Sequence, residues 1–155
     1  MSEKNPIRIF VTHAFRAHDD YLRVFEYLEA AANFFYLNTS VPDRVPATGG
    51  KEALRDELRN QIKAAEVVLV TSSLFLDNRD WVTYQMDAAQ AMNVPLIALE
   101  PFGGIGKIPA EVEKRAAEIV GWNERSIVDA VRRQARHEDT ARFEVIEFEM
   151  PDWKP

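Results

Sequence analysis

Trp81 and Gln85 are four residues apart in the segment DWVTYQMDAAQAM, whose apolar residues have the spacing of a helix. Side chains four residues apart lie on the same face of a helix. Gln85 also follows Val82 by three residues, so it lies at the border of the apolar stripe. A glutamine in that position either points into a ligand cleft or bonds a neighbouring loop. The pattern alone favours the bond to a loop.

His13 and Phe15 directly follow the apolar run IRIFVT. An imidazole can bond a ligand there, and a phenyl ring can stack on a ring of the ligand. Both residues also have structural interpretations, in which His13 bonds the loop backbone and Phe15 packs over the first helix. The sequence leaves these alternatives open.

A long polar segment, NTSVPDRVPATGG, contains a second group of candidates. Asn38 and Ser40 have side chains that can bond sugar hydroxyls or phosphate, and Arg44 can pair with a phosphate. Asparagine, serine and proline are also ordinary turn residues, so the segment, with Pro42, is compatible with plain turn structure. A long loop of this composition is nevertheless typical of a functional loop.

Several other chemistries are excluded or unsupported. The chain has no cysteine, so disulfides and thiolate metal sites are impossible. The histidines His13, His18 and His137 do not have the spacing of a metal site. The segment PFGGIGKIP has neither the spacing of a phosphate-binding P-loop nor that of a dinucleotide fingerprint. Ser72 and Ser73 lack the elbow pattern of a serine hydrolase.

The overall charge and hydropathy narrow the range of partners. A net charge of −6 over 155 residues argues against nucleic acid or a membrane surface as the partner. No apolar run approaches the roughly 18 residues of a membrane-spanning helix. The first residues also lack the apolar stretch of a signal peptide. We therefore expect a cytoplasmic protein with one domain and its own core.

Strands and helices alternate along the chain and must position the candidate residues. Apolar β-rich runs predict strands at residues 7–12, 33–38, 67–71, 95–99 and 119–120. Helical spacing predicts helices at residues 19–32, 51–65, 80–92 and 123–136. Asp19 and Asp20 are expected to cap the first helix and Asn123 the last, and residues 72–79 are expected to form a loop. The alternation predicts a doubly wound α/β sheet, in which ligands bind outside the carboxyl ends of the strands.

Five segments in the same order carry a family resemblance: RIFVTHAF, NTSVPDRVP, LRNQIKAAEVVLVTSS, DWVTYQMDAAQAMNVPLIAL and AAEIVGWNERSIVDAVR. They resemble the TIR-like family of bacterial proteins, and in particular the TIR proteins of Thoeris anti-phage defence. The resemblance implies a three-layer flavodoxin-like α/β fold with a five-stranded parallel sheet, formed by residues 1–136. Residues 137–155 form a C-terminal extension, in which alternating apolar and acidic residues suggest a further strand at a sheet edge.

The resemblance also implies an enzyme that consumes NAD. Many TIR domains cleave the nicotinamide–ribose bond, and the Thoeris members produce a cyclic or modified ADP-ribose signal that activates an effector. NAD is then the substrate, and no other cofactor and no metal is implied. Members often assemble to complete the cleft, so the resemblance is compatible with a homo-oligomer, and the sequence leaves the oligomeric state open. The alternative is a non-catalytic adaptor that acts through protein–protein contacts.

One position departs from the family pattern. Gln85 stands where the family has its catalytic glutamate, four residues after the family tryptophan, here Trp81. Losing the carboxylate charge would cost roughly 4 kcal/mol of transition-state stabilisation, or about a thousandfold in rate. Gln85 is explained either by an exchange introduced to trap a substrate, which the intact surrounding segments favour, or by natural loss of the glutamate. Substrate binding is expected from the following residues: His13, Ala14, Phe15, Asn38, Ser40, Pro42, Arg44 and Trp81.

Overall fold

The computed structural model describes residues 2–138. The further strand predicted in the C-terminal extension lies outside these residues. Five strands form the centre of the molecule: β1 Ile7–Val11, β2 Tyr36–Asn38, β3 Val67–Thr71, β4 Leu96–Leu99 and β5 Glu118–Val120. They pair in parallel in the order β2-β1-β3-β4-β5. The predicted five-stranded parallel sheet is therefore confirmed.

The central strands are buried along their whole length. Every residue of β3 and β4 is buried, and in β1 only Arg8 is exposed. Continuous apolar runs form these strands because both faces of a parallel sheet are covered by helices. Successive side chains of β1 enter opposite cores: Ile9 and Val11 enter one, and Phe10 enters the other.

Helices cover both faces of the sheet and give the predicted three layers. Their bounds are α1 Asp19–Ala30, α2 Gly50–Lys63, α3 Ser72–Asp77, α4 Arg79–Ala91, α5 Ala110–Glu113 and α6 Glu124–Arg136. On one face, α1 and α6 bury residues such as Val24 and Val131. On the other face, α2, α3 and α4 bury Leu58, Phe75 and Met86. This arrangement places the loops after the strands at one edge of the sheet.

Two local predictions were wrong. Residues 72–77 were expected to form a loop and instead form α3, whose Leu74 and Phe75 are buried in the core. The helix is only six residues long, so its sequence has no measurable helical period. Asp19 and Asp20 do not cap α1. Its N-cap residue is His18, and the Asp20 carboxylate instead accepts a hydrogen bond of 2.6 Å from the Ser73 hydroxyl.

The other cap prediction is confirmed. The Asn123 side chain accepts a hydrogen bond of 2.9 Å from the Ser126 amide at the start of α6. A side chain that satisfies a free amide of the first turn stabilises the helix start. In the part of the chain that the structure describes, no helix has both the length and the apolar character needed to cross a membrane.

Candidate functional site

Gln85 joins α4 to the loop that follows β1. Its Oε1 accepts a hydrogen bond from the His13 amide at 3.0 Å, and its Nε2 donates to the His13 carbonyl at 2.8 Å. The same Nε2 donates to the Trp81 carbonyl at 2.9 Å. The side chain is fully buried, at 0% exposure. We call these three bonds the Gln85 bridge. A carboxylate cannot form it, because a carboxylate has no hydrogen to donate.

The side chain of His13 is buried and bonded at both ring nitrogens. Nε2 lies 2.9 Å from Gln61 Oε1, and Nδ1 accepts a hydrogen bond of 3.1 Å from the Phe15 amide. An acceptor at Nδ1 requires the proton to be on Nε2, so the ring is a neutral donor to Gln61. Burial lowers the pKa of His13 below its ordinary value of 6.5, although the hydrogen bond with Gln61 opposes the shift. The imidazole is therefore uncharged at pH 7.

Gln61 forms a second arrangement of the same kind, which the sequence analysis missed. Its Oε1 accepts from the Val41 amide at 2.9 Å, and its Nε2 donates to the Val41 carbonyl at 3.1 Å. Nε2 also donates to the Glu57 carboxylate at 2.9 Å. We call these bonds, with the bond from His13, the Gln61 bridge. Gln61 lies three residues after the buried Leu58, as Gln85 lies three after Val82, and this shared position was the available signal.

The aromatic residues of the predicted site lie beside the Gln85 bridge. The Phe15 ring is edge-on to the His13 ring at 5.4 Å between centroids and to the Trp81 ring at 5.8 Å. Phe15 has a φ of 64°, in the left-handed region that is costly for a bulky side chain. The hydrogen bond from its amide to His13 and its contact with Trp81 offset that cost. Ala14, like Phe15 and Trp81, packs against the core between the sheet and helices α2, α3 and α4.

Two of the predicted residues, Asn38 at the end of β2 and Ser40 in the loop after it, bond to each other. The Asn38 Oδ1 accepts from the Ser40 amide at 2.9 Å, and the Asn38 Nδ2 donates to the Tyr21 hydroxyl at 3.0 Å. Ser40 is buried, Pro42 is half-buried, and the exposed Arg44 forms an ion pair with Glu57 at 3.7 Å. The Tyr21 hydroxyl also lies 2.9 Å from Ser40 Oγ, so Tyr21 joins Asn38 and Ser40, whereas the exposed Arg44 pairs with Glu57.

Two clefts lie on either side of α3, and its residues Leu76 and Asp77 line both. Cleft A has a volume of about 390 Å³, and its wall includes Trp81 and Tyr84. Cleft B has a volume of about 530 Å³ and lies outside the carboxyl ends of β1, β3 and β4. Gln85 lines neither cleft in this conformation, because it is buried behind Trp81.

Cleft A has the side chains that an aromatic anion requires. Lys51 and Arg55 come from the first turns of α2, and the Arg55 guanidinium carbon lies 5.8 Å from the centroid of the Tyr84 ring. Basic groups pair with phosphate, and aromatic rings stack on bases and pyridine rings. Asp77 and Asp80 partly offset the positive charge of the wall. Within residues 2–138, no group of three or more histidines and acids could hold a metal ion.

The strand order 2-1-3-4-5, with helices on both faces, defines the flavodoxin-like class of α/β proteins. Within that class, the chain belongs to the family described as Thoeris protein ThsB, TIR-like domain, whose family model matches residues 10–103. It is therefore a protein of the Thoeris defence type. The matched range contains the whole predicted site, from His13 to Gln85.

A solved structure supports the fold but not the function. A conserved protein from Enterococcus faecalis V583 superposes with a TM-score of 0.53 at 11% sequence identity. The superposition covers 83% of this chain and 99% of that chain. An identity this low shows a shared fold alone. No curated protein matches this chain in sequence.

The Gln85 bridge predicts that Gln85→Glu is destabilising. An ionised carboxylate could donate to neither carbonyl oxygen of His13 and Trp81 and would be repelled by both, so these carbonyl groups would lose their partner. We expect the free energy of unfolding to fall by about 2–5 kcal/mol at neutral pH, the usual cost of leaving buried polar groups unpaired. Urea unfolding of the parent chain and the variant measures this loss of free energy. Part of the loss should be recovered in mild acid, because a protonated carboxyl can donate one bond.

Gln90→Glu is the matched control, because Gln90 is exposed on the same helix. It should change the free energy of unfolding by less than about 0.5 kcal/mol. If Gln85→Glu changes the free energy of unfolding as little as this control does, the Gln85 bridge contributes nothing to stability.

The neutral imidazole of His13 predicts a loss of stability in acid. The unfolded chain, with the ordinary histidine pKa of 6.5, takes up a proton before the native chain does. The contribution of His13 to stability is therefore complete above that pH and is lost as the pH falls below it. We expect the free energy of unfolding to decrease more steeply from about pH 7.5 to about pH 5.5 in the parent chain than in His13→Phe.

His18 also contributes to the pH dependence of stability, so its contribution has to be eliminated from this comparison. Burial, and then the charge of Arg16, also lowers the pKa of His18. Both chains should therefore carry His18→Gln. Equal slopes in the two chains would show that His13 is not held neutral by the fold.

Proposed function

We propose that this chain is a TIR-like protein of Thoeris defence that binds NAD in cleft A and cleaves it slowly at the nicotinamide–ribose bond. One observation carries the proposal. Trp81 lines cleft A, and its carbonyl accepts a hydrogen bond from Gln85, the residue at the family's catalytic position. The reacting end of NAD would lie against Trp81, and its phosphates would lie near Lys51 and Arg55. Membership of the Thoeris TIR-like family supports this proposal.

The chemistry requires stabilisation of a positive ribose. The bond between nicotinamide and the ribose breaks, nicotinamide leaves with the bonding electrons, and the ribose becomes oxocarbenium-like. Water or a hydroxyl of the ADP-ribose part then adds, and it loses a proton. Addition of an internal hydroxyl gives a cyclic product, which would act as the diffusible signal to an effector. NAD is the substrate of this reaction and not a resident cofactor.

The glutamine at position 85 predicts weak turnover. Gln85 has no charge to stabilise the ribose cation, and its amide is fully used by main-chain groups. A carboxylate there could not stay between two carbonyl oxygens, so we expect it to turn toward cleft A beside Trp81. The fit of the amide to its three partners supports a glutamine native to this chain over an exchange introduced to trap a substrate.

A second candidate function is a non-catalytic TIR-like adaptor. The full burial of Gln85 favours it, because a buried side chain cannot contact a ligand in either cleft. The adaptor would act through protein contacts, with or without bound NAD. Turnover by the glutamate variant distinguishes the two functions.

The test is NAD turnover by the parent chain and by Gln85→Glu, with products separated by chromatography and identified by mass spectrometry. We expect the glutamate variant to be at least about a hundredfold faster per folded molecule, since one charge is worth roughly a thousandfold at effective dielectric 20. The folded fraction must be measured in parallel, because the variant is expected to be less stable. The identity of the product would also name the signal.

Gln90→Glu is again the control and should behave like the parent chain. Calorimetry with NAD tests binding separately from turnover. The enzyme proposal fails if neither the parent nor Gln85→Glu consumes NAD, even at concentrations that promote assembly and whether or not NAD binds. The adaptor function would then replace it.

A further inference from the structure

The loops after β1 and β2 are connected through the side chains of His13 and Gln61. The Gln61 Oε1 accepts both the Nε2–H of His13 and the amide of Val41, at 2.9 Å each. The two loops are separated by α1 in the sequence, so the contact cannot arise from local turn structure. It depends on a third element, because Gln61 lies in the last turn of α2.

Gln61 has no unused hydrogen-bonding group. Its oxygen accepts two bonds, and its nitrogen donates one to the Val41 carbonyl at 3.1 Å and one to Glu57 at 2.9 Å. The side chain is 3% exposed, so water cannot easily replace it. Removing it would leave the amide and carbonyl of Val41 and the Nε2–H of His13 without these bonds. The Val41 carbonyl would keep the Arg44 amide as a donor at 3.1 Å. The Val41 amide and the buried Nε2–H of His13, however, would need new acceptors, and this need favours a rearrangement of the loops.

The His13 ring, which Gln61 holds in place, contacts residues that lead to the wall of cleft A. Its Nδ1 accepts from the Phe15 amide at 3.1 Å, which helps to keep Phe15 at a φ of 64°. The Phe15 ring contacts the Trp81 ring, and Trp81 lines cleft A. A continuous path of contacts therefore joins the loop after β2 to the aromatic wall of the cleft. The Gln85 bridge fixes the His13 backbone in the middle of this path.

We propose that Gln61 is a positioning residue, which acts through His13 and Phe15 to hold the loop after β2 and the Trp81 wall of cleft A in one joint geometry. Gln61 contacts no ligand in this role. Its effect on nucleotide binding rests on the proposed function, whereas the coupling of the two loops does not. The two statements can therefore be tested separately.

The coupling is tested by amide hydrogen exchange in Gln61→Leu without nucleotide. The Val41 amide loses its acceptor directly, so it should exchange faster. The Phe15 amide does not touch Gln61 and should also exchange faster, because its acceptor His13 is no longer held. We expect an acceleration of roughly tenfold at both amides, the effect of losing about one buried hydrogen bond.

Val131→Ala is the matched control for a general loss of stability. Val131 is fully buried in the other core, between α6 and the opposite face of the sheet. Its exchange profile shows what global destabilisation alone does to the two amides. The proposal is overturned if Gln61→Leu accelerates hydrogen exchange at the Val41 amide alone. It is also overturned if the exchange profile of Gln61→Leu matches that of Val131→Ala.

A second variant pair tests the route through His13. In a His13→Phe background, Gln61→Leu should still accelerate hydrogen exchange of the Val41 amide. It should no longer change the exchange of the Phe15 amide. Gln61→Glu keeps an acceptor for the Nε2–H and places a negative charge beside the ring. It should therefore raise the histidine pKa in an NMR titration, an effect that a merely structural residue would not produce. An unchanged titration would contradict the direct contact.

The effect of Gln61 on nucleotide binding is tested with NAD itself as the probe. If the parent chain binds NAD, Gln61→Leu should bind it at least about tenfold more weakly than Val131→Ala does, the change expected for roughly 1.4 kcal/mol. Equal affinities of the two variants would overturn the positioning role. Absence of NAD binding by the parent chain would instead contradict the proposed function, and the exchange result would still decide the coupling.

Discussion

The hydrogen bonds of the Gln85 side-chain amide to the main-chain N–H and C=O of His13 are the interaction on which the rest of the site depends. They join the loop that follows β1 to the middle of α4. A loop that leaves a parallel sheet has peptide groups that no neighbouring strand can bond, and these groups need partners when they are buried. An amide side chain supplies a donor and an acceptor together, so one glutamine satisfies both the N–H and the C=O of His13.

The same constraint explains why a second glutamine, Gln61, has an equivalent role on the loop after β2. Both residues lie beside the apolar stripe of a helix that packs on one face of the sheet. From there their side chains reach the backbone of a neighbouring loop. The neutral His13 ring connects the two bridges, and it can do so only as the Nε2–H tautomer. Gln85, which the family resemblance implies is at the catalytic position, thus lies within a network of main-chain hydrogen bonds in this chain.

The parts of the fold that rest on burial could be predicted from the sequence. Strands β3 and β4 are buried on both faces, so their apolar runs were recognisable. Asn123 was recognisable as a cap because capping is a local interaction. Helix α3 was missed because six residues are too few to show a period.

The site was harder to predict for a different reason. The sequence placed Gln85 at the border of the apolar stripe of a helix and favoured a bond to a loop, which the structure shows, but it did not indicate which loop. The answer depends on His13, which is 72 residues away in the chain. Gln61 was missed because its partners also come from distant loops, and a border glutamine has no local pattern that names its partner. Asn38 and Ser40 were correctly placed at the sheet edge, although their bonds are mainly to each other and to Tyr21.

The most direct test of the Gln85 bridge is the exchange of the Gln85 side-chain amide protons, observed by NMR in the parent chain. The two protons donate to the carbonyl groups of His13 and Trp81, and the side chain is fully buried, so we expect their resonances to exchange far more slowly than those of the exposed Gln90. Exchange of the Gln85 protons at the rate of Gln90 would contradict the bridge, because it would show that the side chain is open to water and not held by His13 and Trp81.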